Sequence, residues 1–336
     1  MAKTDGPMVN KTMALDEHPK TGWFRFRPWR FLTPVGVLFC TATLLGFPGA
    51  WAWYLDLFAH FRVQYFVGLS LLAIPFYLTR RFRTALVFTA FALANLAVII
   101  PLYVGPETAP PGRGRALRVM LVNVNTRAGD PARVATVIRR YSPDVLVLEE
   151  IDAAWLERLR PVLAGFRASL AEPRDDNFGI GVFSRLPFRR AEVVGIGVAG
   201  VPSIVAELDI APARLAVIAT HPLPPAGRLY ARWRDEHLER LAERARRTPG
   251  PLVVLGDLNA TPWSHAFRSL LARSGLKDSS RGFGVQPTWP SGNLFLRIPL
   301  DHCLHSPDVR VRDRVVGPYT GSDHYPLVVD LELPSD

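Results

Sequence analysis

Asp257 and Asn259, in the run Gly-Asp-Leu-Asn, stand where the apolar stretch PLVVL ends. Asn123 follows LRVMLV, Glu149 and Glu150 follow PDVLVL, His221 follows LAVIAT, Asp301 follows FLRIPL, and Ser322-Asp323-His324 precede YPLVVDLEL. These clusters supply carboxylates, amides and imidazoles, with no nucleophilic Ser or Cys among them. Such an inventory suits a divalent metal that activates water against a phosphate ester. Asp257 and Asn259 are two residues apart, so at an extended strand end their side chains point the same way. The bland alternative is a Gly-Asp-Leu-Asn turn that merely caps a following helix. It explains the glycine and one Asx residue but not the other clusters.

The elements that must carry these residues are short apolar runs alternating with helical stretches. LRVMLVNV reads as a strand, and Asp130-Pro131 opens a helix over residues 132–141 as N-cap and first-turn proline. VLVLEE is a buried strand followed by a helix over residues 153–160. GIGVFSR, SIVAELDI and RLAVIATH read as strands, residues 228–246 as an amphipathic helix, and PLVVLGD as a strand. A helix over residues 264–273 and strands near LRIPLDHCLHS and YPLVVDLEL close the chain. Neighbouring strands look hairpin-linked, so the expected fold is α/β (α+β), a two-sheet β-sandwich flanked by helices.

Asn-Val at the end of the first strand, PDVLVLEE, a strand ending in Thr-His, GDLN, LDH and SDH, in that order, resemble the endonuclease/exonuclease/phosphatase superfamily. The resemblance covers residues 117–333 and implies a deoxyribonuclease-like sandwich that hydrolyses phosphodiesters with Mg²⁺, or alternatively Mn²⁺, as cofactor. It implies Glu150 as a metal ligand, with Asn123 adding an amide oxygen or orienting a metal-bound water, and Asp323 as a second ligand. Hard divalent cations do take oxygen ligands, and Mg²⁺ keeps several waters. Glu150 alone could equally be a carboxylate facing a helix N-terminus. Asp257 would deprotonate the attacking water while Asn259 donates to a phosphoryl oxygen. Asp301 would fix the tautomer of His324, which would stabilise charge growing on the phosphate. His221 would contact the phosphate or protonate the leaving oxygen. Abasic-site enzymes resemble a pattern with Tyr there, and this chain departs from them. Glu149 stands where family members often carry Gln, and one of the two adjacent glutamates could simply be solvated. Asn177 is a candidate for the cleft. His265, His302, Cys303 and His305 lack the paired spacing of a zinc site and read as structural.

Composition bears on where such an enzyme sits. The formal charge of the 336-residue chain is +10, but Lys and Arg are dispersed, with no basic run interleaved with aromatics. Basicity is therefore a weak argument for a nucleic-acid partner. Two distant cysteines, Cys40 and Cys303, make no disulfide framework. Residues 31–104 are apolar and aromatic, and three stretches within them, 31–50, 63–79 and 84–104, approach the roughly 20 residues needed to span a bilayer. The expected domains are a basic tail (1–30), three transmembrane helices (31–104), a Pro/Gly-rich linker GPETAPPGRGR (105–116 in all) that lets the soluble part stand off the bilayer, and a catalytic domain (117–336). Lys20, Arg25, Arg27 and Arg30 before the first span, and Arg80, Arg81 and Arg83 after the second, place both segments in the cytoplasm by the positive-inside rule. Arg113, Arg115 and Arg118 argue mildly the other way. The expected location is the plasma (inner) membrane, with the catalytic domain periplasmic or otherwise outside.

The favoured substrate at this level is nucleic acid, ahead of a phospholipid or sphingomyelin-type phosphodiester or a phosphatase substrate. The reading from another class is a catalytically silent, membrane-anchored binding protein on the same scaffold.

Overall fold

The computed structural model describes residues 29–105, 114–210 and 213–334. Helices come first: α1 (Trp29–Leu45), α2 (Trp53–Ala59), α3 (Arg62–Leu78) and α4 (Phe82–Ile99), the last extended by a 3-10 turn over Ile100–Leu102. Then follow β1 (Ala116–Asn123), α5 (Pro131–Tyr141), β2 (Val145–Glu149), α6 (Ala153–Leu163), β3 (Ala168–Glu172), β4 (Ile180–Ser184), β5 (Phe188–Gly195), β6 (Pro202–Ile210) and β7 (Ala213–Thr220). The chain ends with α7 (Arg228–Arg247), β8 (Leu252–Asp257), α8 (His265–Ser274), β9 (Lys277–Asp278), β10 (Asp301–His305), β11 (Arg310–Val316) and β12 (Leu327–Glu332).

The strands form two six-stranded sheets, in the orders β11-β12-β1-β2-β4-β3 and β5-β6-β7-β8-β10-β9. Only β1–β2 and β7–β8 pair in parallel, and each pair is joined through a helix, α5 or α7. The inner faces meet in an apolar core that includes Leu121, Val147, Val182, Ile204, Val217 and Leu255. Strands buried on both faces read as unbroken apolar runs, as PDVLVL and PLVVL do. The outer face of the first sheet packs on α5 and α6 through Val134, Ile138 and Trp155, and that of the second on α7 and α8 through Leu241 and Phe267. The expected helix-flanked sandwich is what the chain adopts. Asp130 caps α5 by accepting from the backbone N–H groups of Ala132 and Arg133, as its place before Pro131 implies.

The N-terminal region departs from three separate spans. One described helix, Phe82–Leu102, is long and apolar enough to cross a membrane. Trp53–Ala59 and Arg62–Leu78 pass that test only as a pair bent by 57°, and Trp29–Leu45 is shorter. The short α2 lies in what reads as the aromatic border of the first span. Residues 106–113 of the expected linker lie outside the described residues. The helices before them do not stand off: they dock on the catalytic domain. Trp263 of that domain is buried among Ile99, Leu102, Val63 and Phe66. The backbone N–H groups of Gly282 and Gly284 donate to the carbonyl of Leu102.

Candidate active site

Four strand ends and the starts of two antiparallel strands meet at one end of the sandwich. Cross-strand register does most of the positioning: Asn123 pairs with Glu149, and Asp257 with Asp301. The end of β7 lies so close to β8 that a Cβ on Gly256 would sit 1.8 Å from the Thr220 carbonyl oxygen. Only glycine permits that approach, which brings His221 alongside Asp257. The result is a cleft of about 490 Å³ that holds Glu150, His221, Asp257, Asn259, Asp323 and His324 on its walls. A hollow of about 460 Å³ over β5–β7 and α7 contains none of these residues.

His324 is the pivot. Its Nδ1 lies 2.9 Å from Asp301 Oδ2, and its Nε2 lies 3.6 Å from Asp257 Oδ2. Burial disfavours the charged ring, but the Asp301 and Asp257 carboxylates outweigh it and raise the His324 pKa to about 10. Burial also works against the Asp301 anion, yet the His324 charge and hydrogen bond hold its pKa below the ordinary value. Asp257 is pushed in the opposite direction, upward, by burial, which exceeds the opposing pull of His324. Two carboxylates around one imidazolium are thus driven apart in proton affinity, Asp301 downward and Asp257 up to about 8. Asp257 is held by the Asn259 backbone N–H, which donates to its Oδ1 at 2.9 Å.

His221 faces the same oxygen, with Nε2 3.6 Å from Asp257 Oδ2. Burial, and then the neighbouring His324 charge, lower its pKa to about 3, so it is neutral near pH 7. As a neutral ring it can donate one N–H to a phosphoryl oxygen. Asn259 lies on the cleft wall, and its Nδ2 donates to the Pro222 carbonyl at 3.0 Å, leaving one of its two N–H bonds for a ligand.

Glu150 adopts φ 58°, a left-handed backbone that costs a glutamate energy and persists only where the surroundings enforce it. Asn123 Nδ2 donates to its Oε1 at 2.9 Å, and Asn123 Oδ1 accepts from the Asn125 backbone. Burial raises the Glu150 pKa, and the Asn123 hydrogen bond only partly offsets this. Among the described residues no three of His, Cys, Asp and Glu form a ready ligand cage. The donor set nevertheless fits one hard divalent cation. Glu150, Asp257, Asp301 and Asp323 gather around His324, with Arg314 behind Asp301 and no Lys or Arg among the described residues lining the cleft, and an ion that keeps most of its waters needs one or two protein oxygens. Asp323 has both oxygens engaged, Oδ1 by Asn125 Nδ2 at 2.6 Å and Oδ2 by Trp289 Nε1 at 3.0 Å.

Glu149 is not solvated. It is fully buried and accepts the Asp257 backbone N–H at 3.1 Å, tying the first sheet to the second beneath the site. Asn177, at φ 66°, does line the cleft, beside Phe178. His302 Nε2 donates to the Ala260 carbonyl at 2.8 Å, and its ring packs with centroid 4.4 Å from that of Phe267, as a structural residue would. Sequence reasoning missed Asn125, Trp289, Leu57, His60 and Phe61. For the last three the available signal was the polar interruption Asp56, His60 and Arg62 within an apolar region.

Two mixed sheets flanked by helices, with carboxylates and imidazoles gathered at their strand ends, make a deoxyribonuclease-like α/β fold. The profile of the Endonuclease/Exonuclease/phosphatase family matches residues 120–324, and the chain belongs to that family. A solved endonuclease/exonuclease/phosphatase from Beutenbergia cavernae is similar, with 24% identity, TM-score 0.53 and coverage of 66% of this chain and 72% of that one. One from Bacteroides vulgatus has 19% identity, TM-score 0.55 and coverage of 66% and 100%. D. rerio TDP2, complexed with a single-strand DNA product, has 16% identity, TM-score 0.54 and coverage of 65% and 99%. At these identities the likeness is one of fold. Among curated proteins none matches this chain.

Proposed function

We propose that the protein is a membrane-anchored, divalent-metal-dependent hydrolase of phosphodiesters whose catalytic domain lies outside the cytoplasm. The observation that carries this reading is the chain Asp301–His324–Asp257 beside Glu150 in one cleft. Glu150 and Asn123 would hold Mg²⁺ or Mn²⁺, which when bound neutralises phosphoryl charge and activates water. Asp257, its proton affinity raised by burial, takes the proton of the attacking water. The new bond forms between water oxygen and phosphorus as the P–O bond to one alcohol breaks. That alcohol leaves with a proton from solvent, so one water is consumed and a phosphomonoester remains. His324, cationic and braced by Asp301, holds the phosphoryl oxygens as their charge grows, and His221 and Asn259 add neutral contacts. No covalent intermediate is involved, since the described residues lining the cleft include no Ser, Thr, Cys or Lys.

The anchoring part rests on the apolar helix Phe82–Leu102, the apolar pair before it and the basic residues that flank them. The test is turnover of bis(4-nitrophenyl) phosphate by the purified full chain with Mg²⁺ or Mn²⁺. Activity should vanish with a chelator, and Asp257→Asn should lower kcat by about 10²–10⁴. A variant that keeps wild-type kcat, or a rate indifferent to chelation, defeats the mechanism.

A further inference from the structure

The catalytic cleft is not made by the catalytic domain alone. Leu57 of α2, and His60 and Phe61 of the turn between α2 and α3, line it together with the strand-end residues. This wall is fixed by buried polar contacts. His60 Nδ1 lies 3.1 Å from Thr261 Oγ1, and Asp56 Oδ1 accepts the His265 backbone N–H at 2.6 Å. Asp56 also lies 3.5 Å from the fully buried Arg234, which donates at 2.7 Å to the carbonyl of Asn259, a residue of the site itself.

Beside the wall, Leu294, Phe295 and Leu296 are consecutive and 72%, 83% and 50% exposed. They form a shaped tip, since Asn293 Oδ1 accepts from the backbone of Phe295 and Leu296. The next residue, Arg297, is tied by its carbonyl to Gln64 in the first turn of α3. Trp51 and Tyr54, 85% and 54% exposed, lie on the chain entering and forming α2. Three adjacent exposed apolar side chains are unusual on a surface that meets only water. No lysine or arginine is among the described residues lining the cleft, although a nucleic-acid backbone is held chiefly by such side chains.

We infer that the substrate is a phosphodiester-bearing membrane lipid, presented from the bilayer in which α3 and α4 stand. This rests on the hydrolase reading above and names its substrate class. Arg80, Arg81 and Arg83 put the α3–α4 turn on the cytoplasmic side, so the α2–α3 turn, at the other end of α3, lies at the outer surface. The tip of residues 294–296 dips into that leaflet, the lipid headgroup phosphate enters between Phe61 and His324, and the acyl chains stay in the membrane. The chemistry is that already balanced: water adds to phosphorus, Asp257 takes its proton, and one P–O ester bond breaks.

The full chain, reconstituted with Mg²⁺ in vesicles of phosphatidylethanolamine and phosphatidylglycerol, should release phosphomonoester products seen by ³¹P NMR. It should do so faster than it cleaves a single-stranded DNA oligonucleotide, and not when Asp257→Asn is present. The combined Leu294→Ser, Phe295→Ser and Leu296→Ser variant should lower the ratio of vesicle-lipid to bis(4-nitrophenyl) phosphate turnover at least tenfold. Aryl diester turnover without lipid turnover, faster cleavage of DNA, or an unchanged ratio overturns the lipid assignment and leaves the hydrolase reading intact. Failure on every phosphodiester overturns both.

Discussion

Asp301 does its work through His324, and pH is the variable that exposes it. The folded His324 pKa of about 10 exceeds its ordinary value of 6.5. Its pairing with Asp301, whose own pKa is lowered, therefore stabilises the fold fully just below pH 6.5 and is lost as pH rises through about 10. If the cationic ring is required in catalysis, Asp301→Asn should move the alkaline limb of kcat/KM about one to three pH units lower. An alkaline limb that stays in place would remove Asp301 from that role. Glu149 offers a second test by geometry. Glu149→Gln keeps a carbonyl oxygen for the Asp257 N–H and should retain most activity. Glu149→Ala strands that buried N–H, at a cost of about 1–3 kcal/mol, and should lower both Tm and kcat. Equal behaviour of the two variants would show that the link between the sheets is immaterial. Both residues were visible in sequence as strand-end acids, but their tasks were not. Which of two adjacent glutamates turns inward depends on the left-handed backbone at Glu150, which no local pattern announces.

At the scale of elements, the strands buried on both faces were legible because their apolar runs are unbroken. β3, β5, β9 and β11 were not, since they are half-exposed or very short and carry charges such as Arg189, Arg190, Arg312 and Asp313. The short α2 was hidden for a different reason. Its aromatic sequence matches a membrane border, and its docking contacts join residues 201 and 209 positions apart. Those contacts make α2 a structural part of the enzyme. Asp56→Ala leaves the fully buried Arg234 without one of its carboxylates and should destabilise the chain by roughly 3 kcal/mol. It should also lower kcat, because Arg234 holds the Asn259 carbonyl. A thermal melt and rate indistinguishable from wild type would mean that the helix merely rests against the domain.

For the whole molecule, orientation and integrity are linked. Alkaline phosphatase fused after residue 118 should be active in a bacterial host, because the proposed topology starts α4 at a cytoplasmic α3–α4 turn and leads it outward. An inactive fusion places the cleft in the cytoplasm and reverses the topology. Sequence reading reached the sandwich, the strand-end residues that share the cleft and the apolar region 31–104. It treated the last two as separate bodies, because nothing in a linear pattern tells a tether from a wall.

The distance along the chain between the cleft's two sides has a consequence for biosynthesis. Residues 57–61 emerge from the ribosome long before Thr261 and His265, so the later part completes itself against a surface made first. A chain whose N-terminal helices are misplaced would carry every strand-end side chain and still lack a finished mouth.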